Sequence, residues 1–154
     1  MMRDDKWLIR ELDQIWSRYF CDVAKINKVI IKFGRRARTR LGSIKKQDNG
    51  SSLILINGLL KDLNIPDFIV QATIAHELTH YAHGFSSSHE RQFKYPHKGG
   101  VVSKEMQTRG LEDILYLQKK WLKENWISYL NKNYPAKPSP GRRKRKKRFI
   151  FVFR

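Results

Sequence analysis

The chain has 154 residues, enough for one domain with a real core and too few for two. Hydrophobic residues make up an ordinary 40%, but 32 Lys and Arg against 14 Asp and Glu leave a net charge of +18, which favours polyanionic partners, nucleic acid before an anionic membrane surface. Cys21 is the single cysteine, which excludes an intramolecular disulfide and a thiolate metal cluster, and no apolar run approaches membrane-spanning length.

Met1-Met2-Arg3-Asp4-Asp5 leads straight into an amphipathic pattern without the apolar centre of a signal peptide, so a cytoplasmic location is expected. The spacing of Trp7, Leu8, Leu12, Ile15, Trp16 and Tyr19 predicts a helix over 5–20, capped by Asp4 or Asp5. Cys21 is expected as a reduced thiol packed against that helix. The β-branched run KVIIKF at 28–33 predicts a strand. In RRARTRLGSIKKQDNGSSLILING, two strands at about 38–46 and 52–57 should flank a turn at Asp48-Asn49-Gly50, where the residues tolerate positive φ. Arg36, Arg38 and Arg40 alternate, so in a strand they would line one face, with Lys45 and Lys46 further along. That stripe reads either as a solvated face or as a track for a phosphate backbone. Three strands and a helix crossing them make a compact α+β unit, whose free sheet edge can pair with an extended peptide.

The most informative stretch is DFIVQATIAHELTHYAHGF, containing HELTH at 76–80. Residues i and i+4 of a helix share a face, so His76 and His80 can aim two imidazoles at one point. Glu77 beside them is placed to take a proton from a metal-bound water. Pro66 and Asp67 suit the helix start, and Gly84 suits its end. Phe68, Ala72, Ala75, Leu78 and Ala82 form a core-facing stripe, so the plain alternative is an amphipathic helix that happens to carry histidines. Two histidines alone make a weak site, and catalytic zinc takes three protein ligands with one open position. His83 is separated from His76 by roughly 10 Å of helical rise and reads as a cap or as a residue behind the ligands. His89, His97 and Glu105 are the candidates for the third ligand, and Pro96 leaves little room for a helix starting at His89. Tyr81, His83 and His89 are the candidates to polarise a substrate carbonyl.

Leu111, Ile114, Leu115, Trp121, Leu122, Trp126, Tyr129 and Leu130 keep a helical period and predict a final helix over 111–131, its tryptophans packing over the domain. A domain over 1–134 is thus followed at 135–154 by a proline-containing linker and a basic tail. Seven consecutive bases, Arg142 to Arg148, should stay solvated and could anchor DNA or RNA; the closing FIFVF at 149–153 has no assigned role.

HELTH on a helix after a small sheet, followed by a loop and a His-Gly-type turn opening another helix, resembles the SprT-like metallopeptidases, the bacterial SprT proteins and eukaryotic Spartan proteases. In the bacterial members a Pro-His pair enters a helix that ends at a glycine; here Pro96-His97 precedes GGVVSKEMQTRG, closing at Gly110. RLGSI and ILING are similar to strands of that family, and the resemblance covers roughly residues 5–130. The gap from His80 to His97 is longer than the family pattern and contains His89-Glu-Arg-Gln-Phe93. The resemblance implies a small zincin-like α+β domain with zinc on His76, His80 and His97, Glu77 as general base, and endopeptidase activity, with DNA-associated proteins as substrates. The rival expectation is a nucleic-acid-binding module with a structural zinc and no proteolysis.

Overall fold

A computed structural model describes residues 1–138; the basic run 142–148 and the segment 149–153 lie outside the described residues. The first helix, α1 (Asp5–Tyr19), starts where the Asp4 carboxylate accepts the Trp7 N–H at 2.8 Å, satisfying one of the donors a helix start leaves open. It buries Leu8, Leu12, Ile15 and Trp16. Cys21 just beyond it is exposed, not packed against α1: the chain turns at Phe20, which takes the buried position instead.

Three strands follow, β1 (Val29–Phe33), β2 (Gly42–Lys46) and β3 (Ser52–Ile56), ordered β1-β3-β2. The turn at 47–50, with Gly50 at φ 85°, folds β2 back antiparallel on β3, pairing Gly42 with Ile56 and Lys46 with Ser52. β1 joins the other side of β3 in parallel. Central β3 is covered on both faces, which is why its sequence is a continuous apolar run where an alternating one would suit a half-solvated strand. β2 is left on an edge, with Lys45 and Lys46 exposed.

β2 begins four residues later than the predicted 38–46 strand. The cause is Asn57: its amide donates to the carbonyls of Ala37 (2.6 Å) and Arg40 (2.8 Å), and its Oδ1 accepts the Ala37 N–H at 3.1 Å. Those backbone groups are spent on a loop and cannot join a ladder. The arginine stripe is therefore corrected. Arg36 borders a cavity with Asp62 and Tyr129, the Arg38 guanidinium donates to the Tyr134 carbonyl, and Arg40 lies beside Gly42, so the three do not line a strand face.

The helix carrying HELTH, α2 (Asp67–Ala82), is buried from Ile69 onward except at Gln71. The expected single stripe is thus corrected too: α1, the sheet, α3 (Val101–Thr108) and α4 (Glu112–Asn133) all pack on it, and Phe68 is only half-buried. A helix covered on all sides must be small or apolar nearly everywhere, and the alanines and threonines of QATIAHELTH meet that demand. Its start is held by Arg3, whose buried guanidinium donates to the carbonyls of Leu60 (2.9 Å), Asp62 (2.7 Å) and Ile65 (2.6 Å) and to the Asp67 carboxylate. Its end is set by Gly84, at φ 81°, where a Cβ would lie 2.3 Å from the Glu90 carbonyl oxygen. The final helix buries Leu115, Gln118, Leu122, Trp126 and Leu130, and Trp126 Nε1 donates to the Arg38 carbonyl at 2.8 Å, tying the loop before β2 to α4. The result is a mixed α+β arrangement of four α-helices and one three-stranded sheet among the described residues, none of whose helices is long and apolar enough to cross a membrane.

Candidate metal centre

His76 and His80 occupy successive turns of α2, and their Nε2 atoms lie 3.1 Å apart. The His97 Nε2 joins them, 3.0 Å from that of His80 and 3.4 Å from that of His76. Three nitrogens each about 2.0–2.1 Å from a tetrahedral ion would be separated by about 3.3 Å, so the spacing suits one divalent cation. Among the described residues these three form the cluster able to hold a metal ion. His76 and His80 are buried, whereas His97 is exposed on the third side.

His97 is delivered by the loop after Gly84, and that loop is tied to the end of α2 by its own backbone. Phe85 N–H donates to the His80 carbonyl at 2.9 Å, Gln92 N–H to that of His83 at 2.9 Å, and Ser87 Oγ to that of Tyr81 at 2.8 Å. The carbonyls that a helix end leaves unpaired are thereby used to fold the loop back over the helix. Gly99 and Gly100, at φ 74° and 67°, then turn the chain from His97 into α3.

Burial keeps the imidazoles neutral, the form in which a histidine can ligate a metal. It holds His76 well below its ordinary pKa, helped by His80 and His97, and lowers His80 to about 3. Burial also lowers His97. Glu77 is 0% exposed, and neither carboxylate oxygen has a hydrogen-bond partner. Burial raises its pKa well above the ordinary value, and the charge of Arg40 opposes that rise. A buried carboxylate without a donor beside three converging neutral imidazoles is a poor apolar core and a suitable surrounding for a cation.

The other sequence candidates are engaged elsewhere. His89 Nε2 lies 2.6 Å from the Ala24 carbonyl oxygen, with its ring edge-on to Tyr81. Glu105 accepts from Arg109 at 3.1 Å, and Arg109 reaches on to the Asp22 carboxylate at 2.6 Å and the Tyr19 carbonyl at 2.8 Å, so this network fastens α3 to the end of α1. Its second oxygen stands 3.8 Å from His83 Nε2, and His83 caps α2 under Phe93. The Tyr81 hydroxyl donates to Asn27 Oδ1 at 2.7 Å. Tyr81, His83 and His89, the candidates to polarise a substrate carbonyl, are thus each engaged in packing or loop anchoring.

Two residues near Glu77 escaped the sequence reading. A Cβ on Gly42 would stand 3.2 Å from Glu77 Oε1 and 2.6 Å from Thr73 Cγ2, so only glycine lets β2 pass this close to α2. An isolated glycine inside RLGSI was the available signal, since glycine in a strand often marks close approach. Arg40, two residues earlier, was read as part of a stripe; folded, its charge bears on Glu77. Comparison with protein-family models, with curated proteins and with solved structures found no match for this chain.

Proposed function

We propose that the protein is a zinc-dependent endopeptidase of zincin-like architecture, related to the SprT-like metallopeptidases through HELTH and Pro96-His97. The observation that carries this reading is the meeting of three neutral histidine nitrogens, 3.0 to 3.4 Å apart, with an unpartnered buried carboxylate on the same helix. A structural zinc site would be expected to present four protein ligands, and the cluster presents three.

In this reading His76, His80 and His97 hold the ion, which when bound supplies the Lewis acidity that acidifies a water and polarises the peptide carbonyl. Glu77 accepts the proton as the water oxygen bonds to the carbonyl carbon, then delivers it to the amine nitrogen as the C–N bond breaks. Its raised pKa suits a group that must both take and release a proton near neutrality. The free edge of β2, passing against Glu77 at Gly42, offers backbone donors and acceptors to an extended substrate strand.

The test combines metal content with cleavage. The purified chain should bind one zinc and cut an unfolded protein, a chelator should abolish cutting, and Glu77→Gln should retain zinc while losing activity by about 100-fold or more. Bound zinc without cleavage by the parent chain would leave the structural-zinc alternative. A second reading, association with a polyanion, rests on the net charge of +18. DNA affinity should then fall steeply with salt, and a flat response would refute it.

A further inference from the structure

We propose that a cavity beside the histidine cluster is a subsite for one apolar side chain of the substrate, leucine to phenylalanine in size. It lies between α2, α3 and α4, has a volume of about 370 Å³, and is lined by Val102, Leu115 and Leu122 together with His76 and His97. This inference rests on the peptidase reading, because it places the pocket next to the scissile bond.

Four observations bear on the occupant. The walls are aliphatic and themselves buried, so a hydrocarbon group entering there leaves water without stranding a polar partner. Gln118, which also lines the cavity, turns its amide nitrogen to the Ile69 carbonyl and Thr73 Oγ1, both at 3.1 Å, so those donors are already used within the protein. The volume falls within the range of ligand pockets and leaves room for a side chain as large as leucine or phenylalanine. Exposed Lys119 belongs to the same lining and would repel a lysine or arginine side chain. Two further cavities among the described residues, of similar size, differ in kind: one is bordered by Arg36, Lys61 and Asp62, the other by Arg35 and Arg40, and neither touches the histidines.

The decisive probes are hydroxamates, which chelate an open zinc through the same head group whatever chain they carry. With the full chain loaded with zinc, hexanohydroxamate should bind at least about tenfold more tightly than acetohydroxamate, from burial of its methylenes. The 6-amino derivative of the longer probe should lose that gain. Ser103 is half-buried on the cavity wall, and Ser103→Trp should remove the difference between the two alkyl probes while keeping acetohydroxamate affinity. Lys119→Glu, at an exposed position where folding is not at stake, should restore binding of the amino probe. Equal affinity of the parent chain for the short and long probes overturns the subsite, as does a Ser103→Trp protein that still discriminates. Discrimination by a chain that cleaves no protein upholds the subsite and refutes the peptidase reading. Cleavage without discrimination does the reverse, and binding of neither probe overturns both.

Discussion

Glu77→Gln should stabilise the metal-free protein while it disables the site, and the two effects have one cause. The carboxylate is wholly buried, neither oxygen has a hydrogen-bond partner, and burial raises its pKa well above the ordinary 4.5. Between 4.5 and that raised value the folded chain binds more protons here than the unfolded chain. Stability from this group is therefore complete below about pH 4.5 and is lost as pH rises through the folded pKa. A glutamine has no ionised form and no such slope. Burying an unpaired polar group costs about 1–3 kcal/mol in mutational series, and the amide left by the substitution is itself imperfectly paired, so a net gain of about 1–2 kcal/mol is expected at pH 8. At about 2–4 °C per kcal/mol for a chain of this size, Tm should rise by about 2–8 °C. Thermal unfolding of chelator-treated protein, followed by circular dichroism at pH 4.5 and 8, measures both limits. An unchanged or lowered Tm at pH 8, or the same gain at both pH values, would refute the argument that Glu77 is an uncompensated buried charge.

Removing the third imidazole by His97→Ala should weaken zinc binding by about 100-fold, roughly one ligand's share of a structural-zinc affinity, whereas His89→Ala and Glu105→Ala should stay within about tenfold; zinc competition with a chromogenic chelator ranks them, and a larger loss at His89 would displace His97. Because burial holds His80 at about 3 and lowers His76 and His97, the three imidazoles of the metal-free site carry fewer protons near neutrality than free histidines would. Zinc affinity should accordingly change less than about tenfold between pH 8 and 6, while three ordinary histidines would lose close to a hundredfold, and titration calorimetry in that range separates the two. Arg3→Met strips the donors from the carbonyls of Leu60 and Ile65; with the Asp67 pair discounted because that side chain is 62% exposed, the cost should be about 2–4 kcal/mol, read as a Tm lower by about 4–16 °C. A shift under about 2 °C would mean that water replaces the guanidinium.

How much of this could be read from the chain varies with the range of the interaction. α1, with its Asp4 cap, the turn at 47–50 and the pairing of His76 with His80 depend on residues a few positions apart, and their geometry follows from helical and turn periods. Glycines 42 and 84 left weaker traces, visible as residue types but not as the contacts that require them. The arginine alternation misled for a physical reason: period two predicts a strand only where backbone groups are free to pair, and Asn57 takes those of Ala37 and Arg40.

The sequence by itself determined the HELTH helix, a three-stranded α+β plan and a short roster for the third imidazole's place. Only the tertiary structure decided that His97 meets His80 across 17 residues while His89 turns to Ala24 and Glu105 to Arg109. A helix brings its own i and i+4 residues together, whatever surrounds it. Which distant side chain completes the cluster depends on how a loop spends its hydrogen bonds against the end of that helix, and no local period encodes that choice.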